Sequence, residues 1–303
     1  MRLPESVDLP VEVHTLRPLD PKDYLGRRAQ IADCSRLVHE PLIIAEPGLL
    51  PKVRIVYLHL RPYVNLDDLV KQLRRIDYGA PARVGGVAAV PESQQRVFGY
   101  MPRKVGHRDF CGATALATDH ARVHTALERA AGVCEHFYRL TNPRLYEEHL
   151  RQTRNNVLAQ YHLANGVFTS GIVNKDNPLP YHFDTGNYEE VWSAMFVFKS
   201  AGYSGGYLAV PQLDMAFALP DHSLFMFDGQ GLVHGVTPVL RVPRHRLGLA
   251  ATYRYSVVYY SLRQMWACKT IREEADNARR IRTEREDRRA GFGGPQTTQE
   301  AQQ

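Results

Sequence analysis

The sequence lacks a run of eighteen apolar residues, and this absence argues against a transmembrane helix. Its N-terminus, MRLPESVDLP, lacks the basic and then apolar pattern of a signal peptide, so we expect an intracellular, cytoplasmic protein. Cysteine is scarce as well, and no two cysteines form a CxxC pair. The four cysteines are Cys34, Cys111, Cys134 and Cys268. Their spacing argues against a zinc knot or a disulfide framework, and scattered thiols fit a reducing compartment.

The composition is that of a globular protein with a sizeable core. Hydrophobic residues make up 44% of the 303 residues and charged residues 23%, which suffices for one large domain or two small ones. The formal net charge is +6 and the pI is near 9.1. This mildly basic balance is compatible with a polyanionic partner such as nucleic acid, but it does not require one.

The residue pattern divides the chain into four segments. Residues 1–110 mix short extended runs with one helix, and we expect them to pack on the core as a mixed α/β region. Residues 111–268 contain helices followed by a β-rich core. Residues 269–290 predict a C-terminal helix of mixed charge, and residues 291–303 predict a disordered tail.

Local signals predict the first elements. VRIVYLHL, residues 53–60, alternates as a strand does, and Asn65 is a suitable N-cap for the helix after it. Apolar residues recur at three- and four-residue intervals from about Ala113 to Arg154, which predicts helix. Because Pro143 interrupts that region, we expect two helices with a break before the proline.

After Gly166 the pattern changes to short strands separated by turn residues. The predicted strands are residues 167–173, 191–198, 207–210, 215–219, 223–227, 232–240 and 253–262. Strands at this spacing favour a double-sheet jelly roll over a parallel α/β sheet. We therefore predict an α+β fold with a double-stranded β-helix (jelly-roll, cupin-like) core and flanking helices.

Three residues of the β-rich segment form a candidate metal site. In YHFDTGN, His182 and Asp184 lie two residues apart, so both side chains point the same way at the end of a strand. His234 follows in LVHGVTPV after a stretch of predicted strands and a Gly-Gly turn, and a jelly roll can return it to the pair. Two histidines and one carboxylate bind Fe(II) in non-haem oxygenases and leave positions open for a co-substrate and O2.

A second HxD motif shows that the motif alone is weak evidence. His107 and Asp109 have the same spacing, and His162 follows them. The segment between Asp109 and His162 looks helical, with no strands to bring the second histidine back to the pair. We therefore prefer the first set, both over this one and over unrelated polar residues.

An arginine in the last predicted strand indicates a carboxylate ligand. Arg254 lies in the apolar and aromatic run YRYSVVYYSL, where a charge is costly unless it is paired. Its guanidinium matches a carboxylate, and Ser256 shares its face of the strand, which together with the metal motif favours a 2-oxoglutarate site. The alternative is a solvent-exposed arginine on an edge strand. Arg244 and Arg246 are rivals for the role, but RVPRHR looks like a loop.

The motifs resemble a known family. HxD, GG-Y-L-x-x-P, HGVTP and R-x-S-V-V-Y-Y follow the order of the TET/J-binding-protein branch of the Fe(II)/2-oxoglutarate dioxygenases, over about residues 145–268. The compact chain is most similar to phage-type TET 5-methylcytosine dioxygenases. The resemblance implies Fe(II), 2-oxoglutarate and O2 as cofactor and co-substrates, and the host cytoplasm as the location if the protein is encoded by a bacteriophage.

The resemblance also implies roles for individual residues. The implied catalytic iron ligands are His182, Asp184 and His234. Arg254, with Ser256 beside it, is implied to bind the far carboxylate of 2-oxoglutarate. Asn187, five residues after the first histidine, is implied to contact a flipped base, and its position after a Thr-Gly turn predicts that it lies at the pocket rim. The chain departs from the family in the long interval between His234 and Arg254.

The implied reaction is oxidation of the 5-methyl group of 5-methylcytosine in double-stranded DNA to 5-hydroxymethylcytosine, after base flipping. Such an enzyme needs phosphate contacts, and one candidate basic loop contains Arg241, Arg244 and Arg246. A second candidate cluster contains Arg103, Lys104 and Arg108. Ordinary surface charge accounts equally well for either cluster. Tyr181, Phe183 and Tyr188 flank the metal motif and are candidates either for base stacking or for the core.

Other functions stay open at this point. One alternative is a DNA dioxygenase that hydroxylates thymine, and another is a 2-oxoglutarate-dependent hydroxylase of an amino acid, a protein or a small molecule. A third is a non-catalytic jelly-roll binding module. A halogenase is disfavoured, because halide needs the position that the Asp184 carboxylate fills. Neither a membrane nor a protein partner is expected.

Overall fold

Two β-sheets and five α-helices make up most of the described part of the chain, seen in a computed structural model. The structure describes residues 3–78, 94–104, 107–241 and 253–292. None of the described helices is both long and apolar enough to cross a membrane.

The strands are short, as the frequent turn residues predicted. In chain order they are β1 (Val11–Val13), β2 (Arg36–Val38), β3 (Leu42–Glu46), β4 (Lys52–His59), β5 (Gln94–Met101), β6 (Gly112–Ala113), β7 (Ser170–Lys175), β8 (Leu179–His182), β9 (Ser193–Lys199), β10 (Tyr203–Gly205), β11 (Leu208–Val210), β12 (Met215–Phe217), β13 (Ser223–Phe227), β14 (His234–Val236), β15 (Val239–Arg241) and β16 (Arg254–Tyr260). Most predicted strands are present, but β8 and β10 were not predicted, and the predicted strand 232–240 is divided into β14 and β15. Pro238 lies between β14 and β15 and interrupts the strand, since proline has no N–H to donate to a sheet.

The larger sheet has nine strands in the order β1-β3-β4-β13-β9-β16-β7-β5-β6. The smaller sheet has five strands in the order β2-β12-β11-β14-β8, and β10 pairs separately with β15. Among the described strands, neighbours are antiparallel except for β1 with β3 and β2 with β12. The antiparallel strands β7–β9, β11–β14 and β16 form a double-stranded β-helix, which confirms the predicted α+β fold class.

The helices are α1 (Asp67–Leu73), α2 (Ala115–Asp119), α3 (Ala121–Thr141), α4 (Pro143–Asn156) and α5 (Ile271–Phe292). The predicted break before Pro143 is confirmed, and Asn142 caps α4 by accepting a hydrogen bond from the Leu145 N–H. Asn65 accepts from the N–H of Asp67 at the start of α1, which is shorter than expected. Helix α5 extends to Phe292, and the rest of the predicted disordered tail lies outside the described residues.

Alternation along the central strands produces two apolar cores. Val197 of β9 and Phe225 of β13 face the smaller sheet and pack between the two sheets with Phe217 of β12. Phe196 faces the other way and packs with Leu127 of α3 in a second core. Helix α3 therefore covers one face of the larger sheet and leaves the space between the sheets for the site.

The disulfide content corrects one expectation from the sequence. Cys111 and Cys268 form a disulfide, with their Cα atoms 5.7 Å apart and 157 positions apart in the chain. Spacing along the sequence cannot reveal this pair, because the fold brings the residue before β6 beside the segment after β16. Among the described residues, Cys34 and Cys134 are free, buried thiols.

Replacing Cys111 with serine is expected to lower the free energy of unfolding by about 2–5 kcal/mol, because the cross-link restricts a long loop in the unfolded chain. Urea unfolding without reductant measures the effect, with Cys34→Ser as the control. Reductant should bring the wild type down to the stability of the variant. A wild type that is equally stable with and without reductant would contradict the disulfide.

A buried carboxyl group predicts a pH dependence of stability. Burial raises the pKa of Glu135 to about 7, although the N–H of Val167 and the hydroxyl of Tyr146 donate to it. The native state therefore holds a proton that the unfolded state releases near pH 4.5, so stability falls as pH rises from about 4.5 to about 7. Glu135→Gln should remove this fall and gain about 1–3 kcal/mol above pH 7, measured by urea unfolding at several pH values. A parallel pH profile in the variant would refute this explanation.

Candidate metal centre and co-substrate site

Strand pairing in the smaller sheet brings the three candidate metal ligands together. β8 ends at His182 and β14 begins at His234, and these two residues are partners in the antiparallel register. Asp184 follows two residues after the end of β8. The sequence placed His182 at a strand end, but it did not predict β8 or its pairing with β14.

The geometry is that of a metal site. The Nε2 atom of His182 lies 3.8 Å from Oδ1 of Asp184, and the Nε2 atom of His234 lies 3.6 Å from the same oxygen. One ligand atom from each residue lies within 4.8 Å of those from the other two. Among the described residues these are the one group of at least three histidine, cysteine or acidic residues with metal-site geometry.

The hydrogen bonds of both imidazoles leave the correct nitrogen free for a metal. Nδ1 of His182 contacts the carbonyl oxygen of Pro180 at 2.8 Å, and Nδ1 of His234 contacts that of Leu232 at 2.9 Å. A carbonyl oxygen only accepts, so each Nδ1 must carry the proton and each Nε2 must present its lone pair. Backbone carbonyls orient metal-binding histidines in this way.

The Asp184 carboxylate is held in place from two sides. The hydroxyl of Ser193 donates to its Oδ2 atom at 2.7 Å, and its backbone N–H donates to the carbonyl of Gly229. A side chain at position 229 would collide with the carboxylate, so glycine is needed there. Nothing in the sequence pattern pointed to Ser193.

The protonation states also suit a divalent cation. Burial lowers the pKa of His182 to about 4, and the nearby His234 acts in the same direction. Burial alone would raise the pKa of Asp184, but the adjacent His234 and His182 and the hydrogen bond from Ser193 lower it to about 2. Neutral imidazole and an ionised carboxylate are therefore available at pH 7, which is the donor set that Fe(II) takes in 2-His-1-carboxylate sites.

The second HxD set does not come together. Asp109 forms a two-pronged ion pair with Arg285 of α5. Nε2 of His162 contacts the carbonyl oxygen of Val157. Asp109 and His162 therefore have structural partners, and they are not part of the metal group.

Arg254 occupies the space between the sheets as a buried cation. It is only 2% exposed, and its Nη2 atom donates to the carbonyl oxygen of Gly206 at 2.8 Å. Its Nη1 atom is buried and has no hydrogen-bond partner within the described residues. Burial lowers the pKa of Arg254 to about 10, with the charge of Asp176 opposing the effect, so the side chain is still a cation at pH 7. The alternative that Arg254 is a solvent-exposed arginine on an edge strand is thereby excluded.

The position of Arg254 fits the far carboxylate of a bound dicarboxylate. Leu208 pairs with Val236, which lies two residues after His234, and Gly206 lies two residues before Leu208. Because these strands are antiparallel, the backbone of Gly206 is displaced from that of His234 by four residues along the sheet, or about 13 Å. The side chains of Arg254 and His234 span part of this distance. A five-carbon dicarboxylate that binds the metal at one end can bridge this interval. Ser256 is buried on the same face of β16 and accepts a hydrogen bond from Asn174.

The position of Asn187 differs from the expectation. It was expected at the pocket rim, but it is only 8% exposed, because it bridges to Leu262 and its Nδ2 atom donates to the hydroxyl of Ser193 at 3.1 Å. Asn187 therefore lies behind Asp184, to which it is connected through Ser193. A contact between Asn187 and a base stays a prediction.

Aromatic residues near the site divide into core and pocket. Tyr181 and Tyr188 are buried, which favours the core alternative for them, whereas Phe183 is partly buried. Tyr260 was missed, although it lies an even number of residues after Arg254 and Ser256 along β16, which sets it on their face of the strand. Burial raises the pKa of Tyr260, and the Asp184 carboxylate acts in the same direction.

The candidate phosphate contacts have mixed outcomes. Arg244 and Arg246 lie outside the described residues, and Arg241 ends β15. In the second cluster, Arg103 donates to the carbonyl of Ala267, and Arg108 donates to that of Ala113. Their contact with DNA stays a prediction.

Comparisons with known proteins identify a matching family model and structures of similar fold. The family model Tet_JBP, the oxygenase domain of the 2OGFeDO superfamily, matches residues 101–263, more than half of the chain. The structure of NgTET1 in complex with 5mC DNA resembles the chain with a TM-score of 0.53 and 12% identity, covering 85% of this chain and 84% of that one. A 2OG-Fe(II) oxygenase family oxidoreductase from Burkholderia pseudomallei gives a TM-score of 0.45 and 17% identity, with 69% and 88% covered. Comparison with curated proteins finds no match.

Proposed function

Because the chain belongs to the Tet/JBP family of 2OGFeDO oxygenase domains, we propose that it oxidises 5-methylcytosine in DNA to 5-hydroxymethylcytosine. Family membership makes it a 2-oxoglutarate-dependent dioxygenase that uses Fe(II) and O2. The observation that carries the proposal is that the family match includes both the metal triad and Arg254. The resemblance to NgTET1, which was solved with 5mC DNA, supports the choice of base.

The residues of the site have separate roles in binding the metal and the co-substrate. His182, Asp184 and His234 would hold Fe(II), which together with O2 and 2-oxoglutarate supplies the oxidising power for inserting oxygen into a C–H bond. Arg254 would bind the far carboxylate of 2-oxoglutarate through its free Nη1 atom. Arg254 and Ser256 are buried, so bulk water is kept away from the carboxylate that they would bind.

A methyl group inside a duplex cannot reach this pocket, so the base has to be flipped out of the helix. We assign Tyr260 to the wall that the flipped base meets, because alternation along β16 sets it on the face that carries Arg254 and the charge of Asp184 raises its pKa. An aromatic ring stacks on a base without regard to its hydrogen-bonding edge. Recognition of that edge needs a residue such as Asn187, whose amide can donate and accept.

Replacing Asn187 with alanine is expected to lower oxidation of methylated DNA by about 10- to 100-fold, while slow uncoupled consumption of 2-oxoglutarate continues. The matched variant is Ser193→Ala, which removes the hydroxyl bound to Asp184 and should lower iron affinity instead. Iron titration and 2-oxoglutarate turnover separate the two effects. If Asn187→Ala weakens iron binding as Ser193→Ala does, the residue orients Asp184 and does not read the base.

The proposed activity is tested by nucleoside mass spectrometry. Duplex DNA with 5-methylcytosine is incubated with the full chain, Fe(II) and 2-oxoglutarate, and 5-hydroxymethylcytosine is the expected product. Unmethylated duplex DNA, in which thymine carries the one 5-methyl group, is the matched control. Oxidation of thymine to an equal extent would overturn the choice of base. Turnover of 2-oxoglutarate with no oxidised nucleoside in either DNA would overturn a nucleobase substrate.

A further inference from the structure

Two arginine–aromatic pairs, each with an exposed ring, lie on neighbouring segments outside the group of metal ligands. The guanidinium of Arg263 lies 5.5 Å from the ring centre of Trp266, and that of Arg108 lies 5.7 Å from the ring centre of Phe110. Trp266 is 36% exposed and Phe110 is 43% exposed, which is unusual for large aromatic residues. We call Arg108, Phe110, Arg263 and Trp266 the aromatic–arginine surface.

The disulfide and a buried acid fix the two halves of this surface together. Cys111 follows Phe110 directly, and Cys268 lies two residues after Trp266, so the disulfide joins the segments that carry the two rings. Glu274 is buried, and its carboxylate accepts hydrogen bonds from the N–H groups of Cys111 and Lys269. The rings are therefore presented by rigid backbone, which limits the entropy lost when a ligand stacks on them.

The aromatic–arginine surface begins next to the metal site. The N–H of Arg263 donates to the carbonyl oxygen of Gly186, two residues after Asp184, at 2.9 Å. Trp266 packs edge-on against Tyr188 with ring centres 5.2 Å apart. The buried Tyr188 thus supports an exposed tryptophan, and Tyr188 follows Asp184 by four residues in the chain. The surface is therefore connected directly to the segment that carries a metal ligand.

We propose that the aromatic–arginine surface binds the nucleotides that flank the flipped base in the substrate DNA strand, with Trp266 and Phe110 each stacking on a base. This inference rests on the proposed function. Aromatic rings interleaved with arginine suit such a strand, because bases stack on the rings while guanidinium groups approach the phosphates. Arg263 is paired with the exposed Glu189 in the free chain and would exchange this partner for a phosphate. The flanking bases lose their stacking neighbour when the central base leaves the helix, so a protein ring can take its place.

The fluorescence of the chain gives a direct test that does not depend on activity. The sequence has two tryptophans, and Trp192 is buried against Tyr138 with ring centres 5.2 Å apart. Titration with 5-methylcytosine duplex, without iron, is expected to quench the emission of Trp266. Trp266→Phe should abolish the quenching but retain binding, because phenylalanine still stacks. Dextran sulfate, a polyanion without bases, should not quench; quenching equal to that by DNA would overturn the proposal.

Affinity measurements test the energetic role of both rings. Trp266→Ala and Phe110→Ala should each weaken binding of the duplex by about 5- to 150-fold, the range for loss of one stacked base. Leu49→Ala, at a fully exposed apolar residue between β3 and β4, is the matched control and should bind as the wild type does. Circular dichroism confirms that the variants are folded, and Trp266→Phe covers the case in which the alanine variant is not. Wild-type affinity in either alanine variant overturns the proposal.

The outcomes separate this inference from the proposed function. If the wild type forms 5-hydroxymethylcytosine but Trp266 is not quenched by DNA, the surface proposal fails and the proposed function stands. If DNA quenches Trp266 but no nucleoside is oxidised, the binding surface stands and the proposed reaction fails.

Discussion

Alanine in place of His182, Asp184 or His234 is expected to lower turnover by at least about 100-fold. Removing even an outer partner of a metal ligand commonly costs 10–100-fold, and these three side chains are the proposed ligands themselves. The structure indicates that all three residues are equally important for binding iron, since one ligand atom from each residue lies within 4.8 Å of the others. Each variant should also lose stoichiometric iron binding, which is measured anaerobically by titration and needs no substrate.

The second HxD motif supplies the matched control for this experiment. His107→Ala removes a histidine from the same motif, but Asp109 next to it is paired with Arg285 and not with a metal. This variant should keep its iron and its activity. Full activity in any of the three triad variants, or loss of iron in His107→Ala, would show that the triad is wrongly assigned.

Much of this site was predictable because strand periodicity is a local signal. The two-residue spacing of His182 and Asp184 sets both side chains on one face, and the run of strands before His234 indicated how that residue returns. The charge of Arg254 in an apolar run showed that it needs a partner, and the structure buries it. These conclusions depend on the pattern within single strands and on the order of the strands along the chain.

The remaining features depend on long-range contacts that the sequence does not encode locally. Ser193 binds Asp184 only because β9 passes behind the turn after β8, and the disulfide joins residues 157 positions apart. The exposure of aromatic residues was left open for the same reason. Tyr188 is adjacent to the metal motif and was a candidate for base stacking or for the core, and it is buried beneath Trp266, which is remote from that motif in the sequence. Burial is decided by which segments meet, and this is a property of the whole fold.

Replacing Arg254 with methionine is expected to raise the KM for 2-oxoglutarate by about 10- to 100-fold while leaving iron in place, because a charge-assisted hydrogen bond to a carboxylate contributes about 1.5–3 kcal/mol. Methionine fills a similar volume, but it leaves the carbonyl oxygen of Gly206 without the Arg254 donor and removes the positive charge near Asp176. Because losing one buried partner is destabilising, the variant should be less stable than the wild type without 2-oxoglutarate, and circular dichroism checks that it folds.

Thermal unfolding separates this binding role from a structural one. 2-Oxoglutarate with Mn(II) should raise the Tm of the wild type, since a ligand that binds only the native state stabilises it, and the shift should be lost in Arg254→Met. Arg254→Lys keeps the charge but loses the planar guanidinium, so it should show an intermediate shift. Arg246, the rival candidate for the carboxylate site, lies outside the described residues. Arg246→Met should retain the full increase in Tm with 2-oxoglutarate. If Arg246→Met loses the shift and Arg254→Met retains it, the far carboxylate binds elsewhere, and the buried Nη1 atom of Arg254 needs another partner.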